Sequence, residues 1–298
     1  VKSKLGLLLA LVLATSAAAT DTHLNLEFAN VGGRSLRLDL FVPSGKGPHP
    51  VIVSIHGGSW TTGSREQGLA IAQLERGYAV ANIDYRLAPD SIYPAQIHDC
   101  KAAVRWLRAN SGRFNLDPGA IGVIGLSAGG HLGAILGTSS GVEALEGPEL
   151  GNAGYSSRVQ AVVDYFGPSD LLQMKEQALS CMPGDPDDPT EPPSLLLGCT
   201  LPECPDKAAA ANPITYVTPD DPPFLLLHGT SDCLVPWQQS QILHRALRAA
   251  GVESTFILLP FATHGDFLFL VPPLQDEVNE FLDEHLKTKR PRRRGVRR

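Results

Sequence analysis

Short, nearly continuous apolar runs constrain this chain more than any other feature. They are Pro50–Ile55, Tyr78–Ile83, Ile121–Leu126, Val159–Phe166 and Pro223–Leu227. Each is too short for a globular helix and lacks the strict alternation of a half-exposed strand, so each reads as a strand covered on both faces. Segments of helical spacing lie between them. From Pro94 to Asn110, Ile97, Ala102, Val104, Trp106 and Leu107 recur among Lys101, Arg105 and Arg108. Helical stretches are also predicted at Leu69–Leu74, stopping at Gly77, at Gln238–Ala250, ended by Gly251, and at Leu274–Leu286, with a further strand at Thr255–Leu259. Strands alternating with helices predict an α/β fold, a mostly parallel sheet flanked by helices. The start differs. Leu24–Phe28 and Leu36–Val42 alternate apolar and polar residues around Gly32-Gly33, which predicts an antiparallel hairpin at one sheet edge.

The Pro- and Cys-rich stretch 171–213 breaks this rhythm. It is too long for a simple connection, so it reads as an insertion near the ends of the strands and not as a second domain. The main domain is expected over 20–286. Residues 1–19 follow the order of a secretory leader: Lys2 and Lys4, the apolar run Leu5–Val12, then small residues up to Ala19, after which cleavage is expected. That run is too short to cross a membrane. Residues 287–298 form a basic tail, expected to be disordered.

The formal charge of −6 conceals an asymmetry. Removing the eight basic residues of the tail and the two lysines of the leader leaves 15 positive charges against 31 negative. Such an acidic body argues against nucleic-acid binding. Export permits disulfides. Cys199 and Cys204, close neighbours in the insertion, are expected to pair; Cys181 and Cys233 form a second candidate bond, and Cys100 in an amphipathic helix reads as a buried free thiol. No Cys/His cluster suggests a metal site.

The chemistry centres on Gly125-Leu126-Ser127-Ala128-Gly129, placed between a strand and an Ala/Leu-rich helical pattern. A serine on such a turn is exposed above the sheet, and the helix N-terminus directs free N–H groups at its target. An alcohol needs a base to remove its proton, and the base needs a carboxylate to set its tautomer. His264, in the loop after Leu258-Leu259-Pro260, is the best-placed base. His131 and His228 read as packing or loop-holding residues, and His244 and His285 as surface residues. Asp232 lies between serine and base in chain order, past the strand Pro223–Leu227, and is the expected carboxylate. It also suits the start of the following helix. Asp220 and Asp221 precede the strand, and Asp266 is too near His264 to support its ring from behind. His56-Gly57-Gly58-Ser59-Trp60, directly after a strand, supplies an oxyanion hole: the N–H groups of Gly58 and Ser59, joined by that of Ala128. Trp60, Trp237 and the insertion are candidates for the substrate pocket.

Asp84-Tyr85-Arg86-Leu87-Ala88-Pro89, His56-Gly57-Gly58, Gly125–Gly130 and His228-Gly229-x-x-Asp232-x-x-Val235-Pro236 resemble the α/β-hydrolase esterases. Within them the chain is most similar to the short, capless bacterial enzymes related to hormone-sensitive lipase, including the feruloyl and acetylxylan esterase group. The resemblance runs from about Leu24 to Leu286. It implies a sheet of about eight strands with no large cap domain, an open site and no cofactor. Two departures stand out: Ser59 replaces a third glycine of many relatives, and the N-terminal helical cap of the larger lipase-like relatives is not expected, because the first strand is predicted directly after the leader; Asp84, Tyr85 and Arg86 read as bracing residues.

Together these features predict a secreted serine carboxylesterase acting on short-acyl or aromatic-acid esters, small or carried on plant polysaccharide. The alternatives are an amide hydrolase of arylformamidase or peptidase type, and a non-catalytic binding protein of the same fold. The acyl and alcohol groups and the oligomeric state stay open.

Overall fold

The computed structural model describes residues 20–68 and 70–287. The leader at 1–19, Leu69 and the tail beyond Lys287 lie outside the described residues. The hairpin pairs β1 (Thr20–Val31) with β2 (Arg34–Pro43), both longer than the alternating pattern suggested. Gly32 and Gly33 make its turn with φ of 56° and 88°, a left-handed pair that glycine adopts at low cost. β3 (His49–Ile55), β4 (Ala79–Ile83), β5 (Leu116–Leu126), β6 (Ala161–Tyr165), β7 (Phe224–Gly229) and β8 (Ser254–Leu259) follow. They form one eight-stranded sheet in the order β1-β2-β4-β3-β5-β6-β7-β8. The β1–β2 and β2–β4 pairs are antiparallel and all others parallel, so the hairpin occupies an antiparallel edge, as its alternation predicted.

The apolar runs are continuous because neighbouring residues pack into opposite layers. Val51, Val53 and Ile55 join a core with α1 (Ala95–Ala109), α2 (Ala128–Thr138) and α6 (Gln238–Ala249). Ile52 packs on the other face with Leu274, Val278 and Leu282 of α7 (Pro272–Leu282). The stretch expected to be helical from Leu69 is a 3₁₀ helix at Ala70–Arg76, with Ala70 and Gln73 buried. Their three-residue spacing fits that tighter turn.

The insertion contains only short helical pieces, including α3 (Met174–Gln177), α4 (Pro192–Leu197) and α5 (Pro205–Ala210). Both expected disulfides are formed, Cys181–Cys233 and Cys199–Cys204, and Cys100 is a buried free thiol. Two histidines read as surface residues are partly enclosed. The His285 side chain is 4% exposed, against Phe281 and 3.2 Å from Glu253 Oε1. Half-buried His244 bonds Ser254 Oγ through Nδ1 at 2.9 Å. Among the described residues no helix is long and apolar enough to cross a membrane.

Candidate active site

The parallel strands deliver their polar side chains to one end of the sheet. β5 stops at Leu126, and Ser127 turns the chain directly into α2 with φ 55° and ψ −119°. A serine in that conformation costs on the order of 1–3 kcal/mol and persists only where the surroundings impose it. The glycines make the turn possible. A Cβ on Gly125 would lie 2.1 Å from the Gly129 carbonyl oxygen, and one on Gly129 would lie 2.1 Å from that of Ile55 on β3. Strand and helix therefore close to backbone contact around Ser127. The Ser127 N–H donates to Tyr165 O on β6 at 2.8 Å, and its carbonyl accepts from His131 N at 3.0 Å.

His264 stands in the loop after β8, and Asp232 in the loop after β7. The structure brings both to Ser127. His264 Nε2 lies 2.9 Å from Ser127 Oγ, and His264 Nδ1 lies 2.7 Å from Asp232 Oδ2. Asp232 is fully enclosed and uses its other oxygen, Oδ1, to accept the N–H groups of Leu234 and Val235, both at 2.9 Å. It thus closes its own loop; the cap position of α6 belongs to Trp237. Buried His228 adds Nε2 at 3.2 Å from Asp232 Oδ2 and 2.9 Å from Val235 O, while its Nδ1 pairs with Ser240 Oγ. Burial alone would raise the Asp232 carboxyl; hydrogen bonds from His228 and His264 outweigh it and hold the group well below the usual carboxylate range. The ring of Phe166 lies 4.5 Å from that of His264 and fixes its other side. Asp266 turns away, accepting from Thr263 and Leu268 N–H in its own turn, and Asp221 is engaged with Thr218 before β7.

The loop after β3 is wound left-handed at three successive residues, Gly58 (φ 106°), Ser59 (φ 53°) and Trp60 (φ 60°). Among the described residues no acceptor takes the N–H groups of Gly58, Ser59 or Ala128. Ser59 and Ala128 line the cavity beside Ser127; Gly58 is not among its lining residues, and its carbonyl accepts from the Thr61 and Thr62 N–H groups, both at 3.0 Å. Trp60 is held from below. Its Nε1–H donates to His131 Nδ1 at 3.1 Å, so the His131 proton sits on Nε2, which donates to Ala211 O at 2.7 Å. His131 is completely buried, and desolvation lowers its pKa to about 4. One neutral imidazole thereby joins the loop at Trp60, the serine helix and the insertion. Tyr85 stacks on His56 with centroids 4.2 Å apart, Arg86 pairs with Asp99 at 2.7 Å, and Asp84 with Arg65 at 2.6 Å. These contacts fit a bracing role.

The cavity over Ser127 encloses about 610 Å³ counted to its open mouth. Trp60 lines it; Trp237 does not, because it sits half-buried at the start of α6 while Leu234 and Val235 form that wall. Much of the opposite wall is the insertion, from Met174 through Met182, Pro183 and Glu191 to Pro193. Cys181–Cys233 ties that wall to the residue next to Asp232. None of these wall residues carries a sequence signal of its own; the Pro-rich break in rhythm at 171–213 is what marks the segment. Asp164, inside the apolar run Val159–Phe166, carries no sequence signal of its site either. It is fully buried on β6 under α2, accepts from Gly167 N at 2.9 Å through Oδ1, and leaves Oδ2 without a partner. Burial pushes its pKa up to about 7.

The sheet order, the strained serine turn and the loops at the strand ends define an α/β-hydrolase fold. Residues 38–247 match the BD-FAE family, and the chain belongs to it. It is 34% identical over 224 residues to the esterase LipC of Mycobacterium tuberculosis, covering 73% of this chain and 53% of that protein. The chain spans about half the length of the curated relatives it first matches. Among solved structures it superimposes on a truncated carbohydrate esterase from gut microbiota with TM-score 0.82 and 31% identity, covering 92% of this chain and 99% of that one. A bifunctional GH43-CE protein of Bacteroides eggerthii gives TM-score 0.80 at 33% identity, covering 89% of this chain and 35% of that one.

Proposed function

We propose that the protein is a serine carboxylesterase in which Ser127, His264 and Asp232 form the catalytic triad. The observation that carries this reading is the continuous chain from Ser127 Oγ through His264 (2.9 Å) to Asp232 (2.7 Å), opening into the cavity. Ser127 Oγ attacks the ester carbonyl carbon as its proton passes to His264 Nε2. The carbonyl π electrons move onto oxygen, which the N–H groups of Gly58, Ser59 and Ala128 receive. Asp232 holds Nδ1–H and stabilises the imidazolium. Collapse of the intermediate breaks the bond to the alcohol, which leaves with the proton from Nε2. Water then attacks the acyl-enzyme with His264 as base, releasing the acid and restoring Ser127.

Similarity to carbohydrate esterases favours short-acyl or aromatic-acid esters, including those on polysaccharide. Two disulfides and the leader-like first residues support export; exported material would begin near Thr20 on N-terminal sequencing, and material retaining Val1 would count against it. The test of the chemistry is Ser127→Ala. Its kcat on 4-nitrophenyl acetate should fall by about 10⁶-fold, because triad members act as a unit. Labelling by a fluorophosphonate should disappear with it. Activity within tenfold of wild type would remove Ser127 from the mechanism.

A further inference from the structure

The insertion wall carries one carboxylate, Glu191, to which ester hydrolysis gives no task. Its backbone is fixed on both sides. Glu191 N–H donates to Asp188 O at 3.1 Å, and its carbonyl accepts from Leu195 N at 3.0 Å. The side chain has no such engagement. Glu191 precedes α4, where an acidic side chain ordinarily accepts from N–H groups in the first turn. Here Pro192 and Pro193 come next and have no N–H to offer, and the side chain makes no cap bond. Among the described residues no hydrogen bond or ion pair engages the carboxylate. It lies instead over Gly184, where an added Cβ would come within 2.1 Å of Oε1 and 3.0 Å of Oε2. Gly184 does not have a left-handed φ, so the missing side chain serves the carboxylate and not a turn. Both residues line the cavity that contains Ser127 and His264, in a wall otherwise of methionine and proline.

A half-buried carboxylate in such a wall has lost part of its water and still needs donors. A hydrogen bond to a charged acceptor is worth more than one between neutral groups. We propose that Glu191 determines specificity by accepting a hydrogen bond from a neutral hydroxyl of the substrate, so that the site selects hydroxyl-bearing esters over matched esters without one. This rests on the serine-esterase reading above. The hydroxyl has two sources, a phenol on the acyl side or a vicinal alcohol, as in a sugar, on the leaving side.

Two matched pairs separate these sources: methyl 4-hydroxycinnamate against methyl 4-methylcinnamate, and trans-2-hydroxycyclohexyl acetate against trans-2-methylcyclohexyl acetate. Wild type should favour the hydroxyl member of one pair by about tenfold or more in kcat/KM, and the pair that shows it identifies the source. Glu191→Leu brings that ratio to within about twofold of unity, and Gly184→Ala, which displaces the carboxylate, does the same. Glu191→Gln keeps an accepting oxygen and part of the ratio. Each ratio is taken within one preparation, so an unfolded fraction cancels. Ratios near unity for wild type on both pairs, or a ratio untouched by Glu191→Leu, overturn the proposal. So does a larger preference for acetylcholine over 3,3-dimethylbutyl acetate that vanishes in Glu191→Leu, since the carboxylate would then serve a cation. The serine-esterase reading fails separately, if Ser127→Ala hydrolyses these esters as wild type does.

Discussion

Replacing Asp232 with Asn keeps the shape of the group and removes one of its two accepting ends. In the structure Oδ1 accepts from Leu234 and Val235 N–H, each at 2.9 Å, while Oδ2 faces His264 Nδ1 at 2.7 Å and His228 Nε2 at 3.2 Å. Turned towards Leu234 and Val235, the amide oxygen keeps both backbone bonds and its NH₂ faces His264; His228 falls back on Val235 O at 2.9 Å. Turned the other way, the NH₂ opposes two N–H donors and strands them, at about 1–3 kcal/mol for each unsatisfied group. The first orientation wins. An NH₂ facing Nδ1 makes that nitrogen the acceptor, so the imidazole proton moves to Nε2 and points at Ser127 Oγ, 2.9 Å away. The ring can no longer take the serine's proton. The expected loss in kcat is about 10⁴-fold, or roughly 5.5 kcal/mol of barrier. KM should change little, because Asp232 does not line the cavity. Steady-state hydrolysis of 4-nitrophenyl acetate measures the loss, and thermal unfolding checks that the fold survives. A loss below tenfold in a folded variant would refute the tautomer argument and leave Asp232 as a brace for its loop.

Trp60→Phe keeps a ring but leaves buried His131 Nδ1 without its donor, so stability measured by chemical denaturation should fall by about 1–3 kcal/mol. Because the same loop carries Ser59, kcat should fall more than KM changes; unaltered stability and kinetics would show that this bond does not hold the loop. Asp164 gives a pH signature. Its folded pKa of about 7 stands above the ordinary value of 3.8, so the folded state holds a proton that the unfolded state has released, and stability falls as pH rises from about 4 to about 7. Asp164→Asn should lack this decline, gaining on wild type by roughly 4 kcal/mol across that window and no more above it; parallel stability curves for the two proteins would count against a protonated Asp164.

The residues legible in the sequence are those tied to strand ends. Ser127, Asp232 and His264 each follow an apolar run whose direction and neighbours the parallel sheet fixes, and the order of the runs sets their order in space. Strand limits were less legible. β5 begins at Leu116 although Asp117, Pro118 and Gly119 have turn chemistry, because Leu116 pairs with His49 across an irregular register that nothing local announces. The helix read from Leu69 is 3₁₀ because its buried contacts recur every third residue, which a short window does not separate from a period of 3.6. Trp237 and Trp60 are equivalent pocket candidates in the sequence; the path from Asp232 to α6, closed by the Leu234 and Val235 N–H groups, puts Leu234 and Val235 on the wall and leaves Trp237 outside it, while Trp60 lines it.

On the two proposals made above, chemistry and selectivity fall to parts of the chain with different physical origins. The serine turn is imposed by backbone contact between β3, β5 and α2, where a single methyl group at Gly125 or Gly129 has no space. The insertion has no periodicity and no sheet to order it. Its shape depends on prolines, on short helical turns and on cross-links to the ordered part: the Ala211 carbonyl on His131, and Cys181 on Cys233. These two links reach the helix that starts at Ser127 and the loop that carries Asp232. A wall anchored to those same elements keeps its position relative to Ser127, His264 and Asp232, so on the proposed reading a substitution at Glu191 alters selectivity while leaving the proposed triad in place.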